Sequence, residues 1–279
     1  MQTPPQLTDR AALQRFRARV DEAAMFLQEE VRFEIKERLK LVNRTFTSIA
    51  IVTPFPKIWK EFSENALILP DEEILALELG AHDLVIHAMA LHWANDPVGQ
   101  LIQCQRALKP DGLFLGACFG GETLTELRVA LTEAEVALTG GLSPRILPMG
   151  EIRELGALLQ RAGFALPVAD TDLRTVSYSD MFALLRDLRD MGEGNALAQR
   201  RKVFTSRELF TKAAEIYAAN FALDEGRIKA TFEMIYLTGW APDESQPKPL
   251  RPGSATARLA DALNTQEISL PDSAPKRRI

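Results

Sequence analysis

From Asp83 to Cys118 the chain reads Asp-Leu-Val-Ile-His-Ala-Met-Ala-Leu-His-Trp-Ala-Asn-Asp-Pro, then an amphipathic stretch, then Leu-Lys-Pro-Asp-Gly and Leu-Phe-Leu-Gly-Ala-Cys. An apolar run, a polar loop, helical spacing, a tight turn and a second apolar run predict one crossover of a parallel α/β sheet. This segment constrains the fold most, because parallel strands need such crossovers and bind ligands in the loops at their carboxyl ends. A second feature bears on the ligand: no glycine occurs before Gly80.

The remaining elements extend that sheet. Leu7 to Asn43 carries Phe16, Val20, Leu27 and Val31 at helical spacing with charges between them and predicts one or two helices. Ile49 to Val52 is a β-branched run and the first predicted strand, stopped by Thr53-Pro54-Phe55-Pro56. Two helical turns over Lys57 to Ser63 and a second strand, Ala66 to Leu69, follow, with Pro70-Asp71-Glu72-Glu73 after it. Leu84 to Ala88 and Leu113 to Cys118 are the next strands. Leu124, Leu127, Leu131 and Leu138 share one helix face ending at Gly140-Gly141, and Glu151 to Ala162 is a further helix closed by Gly163. Ala165 to Val168 and Leu173 to Tyr178 alternate as two strands, and Asp180 to Met191 is helical. Thr205 with Glu208 predicts a capping box for a helix to Phe221, before a last strand from Lys229 to Leu237. Gln246 to Gly253 reads as extended, a short helix is expected near Ala255 to Leu263, and the polar tail to Ile279 reads as disordered. The domain reading is a helical segment over 1–43, an α/β domain over 44–242 with helical insertions near 121–150 and 179–221, and a tail over 243–279.

Composition narrows the function classes. A net charge of −5 with interspersed signs gives no basic stripe for neutralising phosphates, so nucleic acid is not an expected partner. Apolar runs such as Asn65 to Pro70 and Leu84 to Leu91 fall short of the roughly 18 to 20 residues of a membrane span. No signal or transit peptide is evident in Met1 to Arg10, and Cys104 and Cys118 sit where small buried hydrophobes belong, so a cytoplasmic location is expected. His82, His87 and His92 are the only histidines; their five-residue spacing does not match the i, i+4 pair of a helical metal site, so no metal is expected, with His82 in a turn and the other two as polar groups at strand ends.

Several segments taken together carry a resemblance: Leu91-His92-Trp93-Ala94-Asn95-Asp96, Ala107-Leu108-Lys109-Pro110-Asp111-Gly112, Gly121-Glu122-Thr123-Leu124, Leu159-Gln160-Arg161-Ala162-Gly163-Phe164, Arg186 to Gly192 and Tyr236 to Pro242. From about Asp9 to Ala255 the chain resembles the class I S-adenosylmethionine-dependent methyltransferase-like family that includes the malonyl-carrier-protein methyltransferase of biotin synthesis and, more closely, the mitochondrial complex I assembly factors. The resemblance implies a doubly wound, mainly parallel Rossmann-like sheet with a final antiparallel hairpin and helical insertions over the acceptor site. It also implies an arginine of a complex I subunit as the target of assembly-factor members, by hydroxylation rather than methylation.

The chain departs from that family where the cofactor belongs. The family places a glycine-rich turn after its first strand, because a Cβ obstructs the approach of backbone to cofactor. Here Thr53-Pro54-Phe55-Pro56 removes two backbone donors and adds an aromatic ring. Too few residues separate Val52 from Ala66 for a further strand and helix, so the sheet is expected to be one strand–helix unit short. The strand Ala66 to Leu69 then aligns with the family's third, whose trailing acids sit by the adenine. On this reading Asp71, Glu72 and His87 are the cofactor candidates, and His92, Trp93, Asn95, Arg186 and Arg189 the substrate candidates. Arg186 and Arg189 have an equally good reading as a solvated helix face paired with Asp190.

Two functions follow. The first is a methyltransferase-like protein with a degenerate cofactor loop that binds a protein partner, a respiratory complex I subunit or assembly factor. The alternative is an active S-adenosylmethionine-dependent methyltransferase on a small-molecule, carrier-protein or protein substrate. The cofactor is S-adenosylmethionine if the site is active and none if it is not. An open cleft beside Val52 and His87 favours the enzyme; Phe55 or Trp59 filling it favours the binding protein.

Overall fold

The computed structural model describes residues 6–247 and 259–266. In chain order these form α1 (Arg10–Arg17), α2 (Phe26–Leu41), β1 (Ile49–Val52), α3 (Pro56–Lys60), β2 (Leu67–Leu69), β3 (His82–Ala88), α4 (Pro97–Ala107), β4 (Leu108–Phe119), α5 (Thr125–Thr139), α6 (Ile152–Arg161), β5 (Ala165–Tyr178), α7 (Met181–Asp190), α8 (Arg207–Phe221), β6 (Ile228–Trp240) and α9 (Leu259–Ala262). Residues up to Asp243 make one compact unit that includes the N-terminal helices, and Glu244 begins a second. In the second, only 244–247 and the turn of helix α9 are described. The expected extended stretch beyond 247, the start of the expected helix near 255 and the tail past 266 lie outside the described residues.

Six strands form one sheet in the order β2-β1-β3-β4-β6-β5. The first four are parallel, and β6 then runs antiparallel between β4 and β5. Alternation along the strands gives the sheet two apolar faces. Ile51, Leu84, Ile86, Leu113 and Leu115 face α2, α3, α5, α7 and α8, whereas Ala50, Val52, Val85 and Phe114 face α4 and α6. Helices on both faces of a mainly parallel sheet make this a doubly wound α/β fold. Spacing explains the helices: Leu27, Val31 and Ile35 bury one stripe of α2. Asp96 caps α4 by accepting from the Gly99 N–H at 2.8 Å, with Pro97 at the first helical position.

The edge of the sheet is as short as expected: the strand Leu67–Leu69 pairs directly with β1, Ala50 opposite Leu67. The sheet is one unit short, because nothing described lies beyond β2. Three local expectations change. The two expected strands around Asp170 are one continuous strand, β5. Arg38 reaches Asp170 and Arg174 reaches Asp172, so the charges that read as a break are neutralised on the sheet. Ser206, not Thr205, caps α8, accepting from the Leu209 N–H at 3.2 Å; Thr205 is turned to Arg145 instead. His82 begins β3 rather than lying in a turn.

Candidate functional site

Ligand chemistry in such a sheet belongs at the carboxyl ends of β1 to β4. Two non-glycine residues in the left-handed region lie there, Met89 just past β3 and Leu124 just before α5. Each is held by a backbone bond at 2.8 Å, Met89 N–H to Ala117 O and Leu124 N–H to Thr231 O. Strain of this kind persists only where the surroundings over-determine it.

At the end of β1 the chain fills its own cleft. Phe55 is 5% exposed, and Trp59, Val52 and His87 are fully buried. Trp59 donates its indole N–H to Gln28 Oε1 at 3.0 Å, which fixes α3 against α2. Asp71 stands two residues past β2, and its carboxylate is taken by the N-terminal helix. Arg17 Nη1 donates to both oxygens at 3.0 and 2.8 Å, Arg10 Nη1 to Oδ2 at 3.1 Å, and Arg10 Nη2 to the Asp71 carbonyl at 2.6 Å. The Arg17 guanidinium also lies 5.8 Å from the centre of the Phe55 ring. Burial alone raises the pKa of Asp71, but Arg17 and Arg10 outweigh it and hold the carboxyl below its usual range.

His87 faces Gln100, with Nε2 and Oε1 2.8 Å apart, while Gln100 donates to the Glu72 carbonyl at 3.0 Å. That network assigns the imidazole proton to Nε2. Burial pushes the His87 pKa down, so the ring is neutral. Glu72 itself is exposed and meets Gln14. In this conformation the residues at the end of β1 do not fit S-adenosylmethionine. An aromatic ring replaces the backbone turn, and the acid beside β1 is already paired.

The region beside Trp93 differs. A cavity of about 230 Å³ opens between α5, α7, α8 and the loop 145–149. Leu124, Leu127, Leu131, Leu188, Phe210 and Phe232 supply apolar wall, and Trp93 and Glu193 supply polar atoms. The Trp93 indole donates to Glu193 Oε2 at 2.7 Å. His92 accepts from the Phe119 N–H at Nδ1, 3.4 Å away, and turns Nε2 toward Glu193 at 3.5 Å. Although burial works against the charge, His92, Arg17 and Trp93 hold the Glu193 pKa below its usual value, so an ionised carboxylate lines an apolar cavity. Opposite, Glu135 binds Ser143 and Arg145 and so pins the loop that walls the cavity.

The structure therefore brings Trp93 and Arg189 to one cavity with His92 directly behind Trp93, and sets the other candidates apart. Arg189 is exposed at the cavity and meets Asp190 at 3.3 Å, and Arg186 is exposed on the same helix. Asn95 binds the Thr8 backbone, accepting at 2.8 Å and donating at 3.3 Å, and so anchors the N-terminal strap. Cys104 and Cys118 are buried free thiols, Cys118 pushed up to about 12 by burial. Sequence reasoning missed Glu193, Arg10 and Arg17. Arg10 and Arg17 stand seven apart, on one face of α1, which was a visible signal. Glu193, a hundred positions from Trp93, left none. No helix among the described residues is long and apolar enough to cross a membrane.

A family profile described as a methyltransferase domain matches residues 36–116, which run from α2 into β4. The chain is 42% identical over 194 residues to the mitochondrial arginine-hydroxylase NDUFAF5 of Danio rerio, covering 70% of this chain and 60% of that protein. It is 35% identical over 177 residues to the malonyl-[acyl-carrier protein] O-methyltransferase of Xylella fastidiosa (strain M23), covering 63% and 58%. Over 173 residues it is 31% identical to a Rickettsia prowazekii (strain Madrid E) protein with the provisional name methyltransferase RP459, covering 62% of this chain and 76% of that one. The chain thus spans about three fifths of the length of the first two relatives. With the doubly wound sheet, these matches show that the chain belongs to the class I S-adenosylmethionine-dependent methyltransferase-like family.

Proposed function

We propose that this chain is a methyltransferase-like scaffold whose cofactor half is filled by its own side chains, and that it works by binding a protein partner. The observation that carries the reading is the occupation of the cofactor place by Phe55 and by the pairing of Arg10 and Arg17 with Asp71. The partner is a subunit or assembly factor of respiratory complex I, as the resemblance of Tyr236 to Pro242 and its companion segments implies, and the location is cytoplasmic. The partner presents an arginine, the residue named for the NDUFAF5 relatives. An apolar cavity lined by an ionised Glu193 suits a side chain with an aliphatic stem and a cationic end.

The second reading, an active S-adenosylmethionine-dependent methyltransferase, is favoured by one observation: the methyltransferase profile matches the cofactor half itself. Isothermal titration of the full chain with S-adenosylmethionine and S-adenosylhomocysteine separates the two. No heat at millimolar ligand is expected, and micromolar binding overturns the filled-cleft reading. Blocked arginine, N-acetylarginine amide, titrated into the wild type and Glu193→Gln tests the cavity. Weak binding that is lost in the variant is expected; equal behaviour of the two proteins removes Glu193 from the proposal.

A further inference from the structure

Between α7 and α8 the chain makes a long connection without regular secondary structure, and one short part of it is built unlike the rest. Arg200 is tied down by Asp9 at 2.9 Å and by its own bond to the Leu197 carbonyl at 2.8 Å. Thr205 is held by Arg145 at 3.2 Å, and Ser206 caps α8. Between these two anchors Arg201, Lys202, Val203 and Phe204 arch into solvent. Phe204 is 104% exposed, so its ring packs on nothing in the protein, and Val203 is 60% exposed.

Charge identifies the occupant. In a chain with net charge −5, the stretch from Arg200 to Arg207 holds four cations and no acid. Arg200 is neutralised by Asp9. Arg201, Lys202 and Arg207 are exposed, with no ion pair within 4 Å among the described residues; Lys202 borders a groove that Asp9, Glu72 and Glu73 also line, and Glu208 follows as the next acid in sequence. An aromatic tip collared by cations matches an anionic lipid interface, where the ring enters the acyl boundary and the cations stay with the headgroups. A protein partner would call instead for a broader, flatter apolar patch surrounding the ring. The anchors at Arg200 and Thr205 fix the base of the arch, so little freedom is lost when the tip inserts.

We propose that the arch Arg201 to Phe204 is a membrane-docking tip, with Phe204 as its wedge and an anionic phospholipid surface as its ligand. The exposed tip carries the proposal, which stands whether or not the partner reading does; its anchor Arg145 also lines the acceptor cavity. The test is co-sedimentation of the full chain with phosphatidylcholine vesicles, with and without phosphatidylglycerol, at low and high salt. Binding to the anionic vesicles alone, falling with salt, is expected. Loss of the ring in Phe204→Ser weakens it about tenfold. Each of Arg201→Gln and Lys202→Gln weakens it about fivefold. All of these positions are exposed, and circular dichroism confirms the fold of each variant. A Phe204→Trp variant whose emission shifts to the blue on anionic vesicles reports insertion directly. Absence of binding by folded wild type, equal binding to neutral vesicles, or variants that bind like the wild type overturns the proposal. So does self-association abolished by Phe204→Ser without vesicle binding, which makes the tip a protein contact.

Discussion

Replacing Asp71 by Asn tests what holds the N-terminal helix on the sheet. Asp71 is the sole described counter-ion within 4 Å of Arg17, whose side chain is only 7% exposed, and of Arg10. The amide keeps the shape and one acceptor oxygen but removes the charge, leaving two largely buried guanidinium groups uncompensated. Breaking a buried pair in this way costs about 3 to 5 kcal/mol. Because Asn still accepts one bond, the lower end is expected, about 3 kcal/mol, or about 6 to 12 °C in melting temperature for a unit of this size. Urea denaturation at neutral pH, followed by Trp fluorescence, measures it. The sign with pH follows from the lowered native pKa of Asp71. Stabilisation is complete above the unfolded carboxyl pKa of about 3.9 and is lost as pH falls below it, so wild type and variant converge in acid. Arg17→Met in the variant background should restore part of the loss, since the two residues couple. A loss below about 1 kcal/mol, or no convergence in acid, refutes the ion-pair anchor.

Three further outcomes are expected. Glu135, whose side chain is 2% exposed and whose pKa is held to about 2 because Arg145 and Ser143 outweigh its burial, should cost about 3 kcal/mol as Glu135→Gln at neutral pH. In the wild type that stabilisation is present above about pH 4.5 and disappears as pH falls toward 2, which acid titration of unfolding in urea checks. Trp59→Ala empties the core between α2 and α3 and should cost about 3 to 5 kcal/mol by chemical denaturation. Gly239→Ala places a Cβ 2.9 Å from Cβ and Cγ of Phe164 and should cost about 1 to 3 kcal/mol by thermal unfolding.

The crossover from Asp83 to Cys118 was legible because strand and helix periods differ and the Lys-Pro-Asp-Gly turn punctuates them. The shortened sheet was legible from chain length alone, since the stretch between Val52 and Leu67 has no room for another strand and helix. The filled cleft was half legible. Phe55 and the two prolines announced that no glycine turn exists, but the pairing of Asp71 with Arg10 and Arg17 spans more than fifty positions and depends on where α1 docks. Local pattern carries no such information. The same limit hid Glu193, which meets Trp93 only through folding of the connection after α7. Thr205 and Ser206 offered two equivalent caps for α8, and the choice fell to Ser206 because Arg145 claims Thr205, again a distant contact. The two strands expected around Asp170 were separated by polar residues whose partners lie on α2 and on the strand itself.

The N-terminal strap has a consequence for the order of folding. Thr8 forms a bridge with Leu197, the Asp9 N–H donates to the Ala196 carbonyl at 2.8 Å, and the Asp21 N–H donates to the Asp190 carbonyl at 2.9 Å. These bonds join the start of the chain to the connection after α7, so they close long loops and depend on much of the chain between being in place. Contacts of that kind form after the main barrier and govern the rate of unfolding more than the rate of folding. The strap is therefore where the native state opens first. The amides of Asp9 and Asp21 should exchange with deuterium well before those of Val85 and Phe114 in the central strands, and a protease that finds this chain folded should cut first near its beginning.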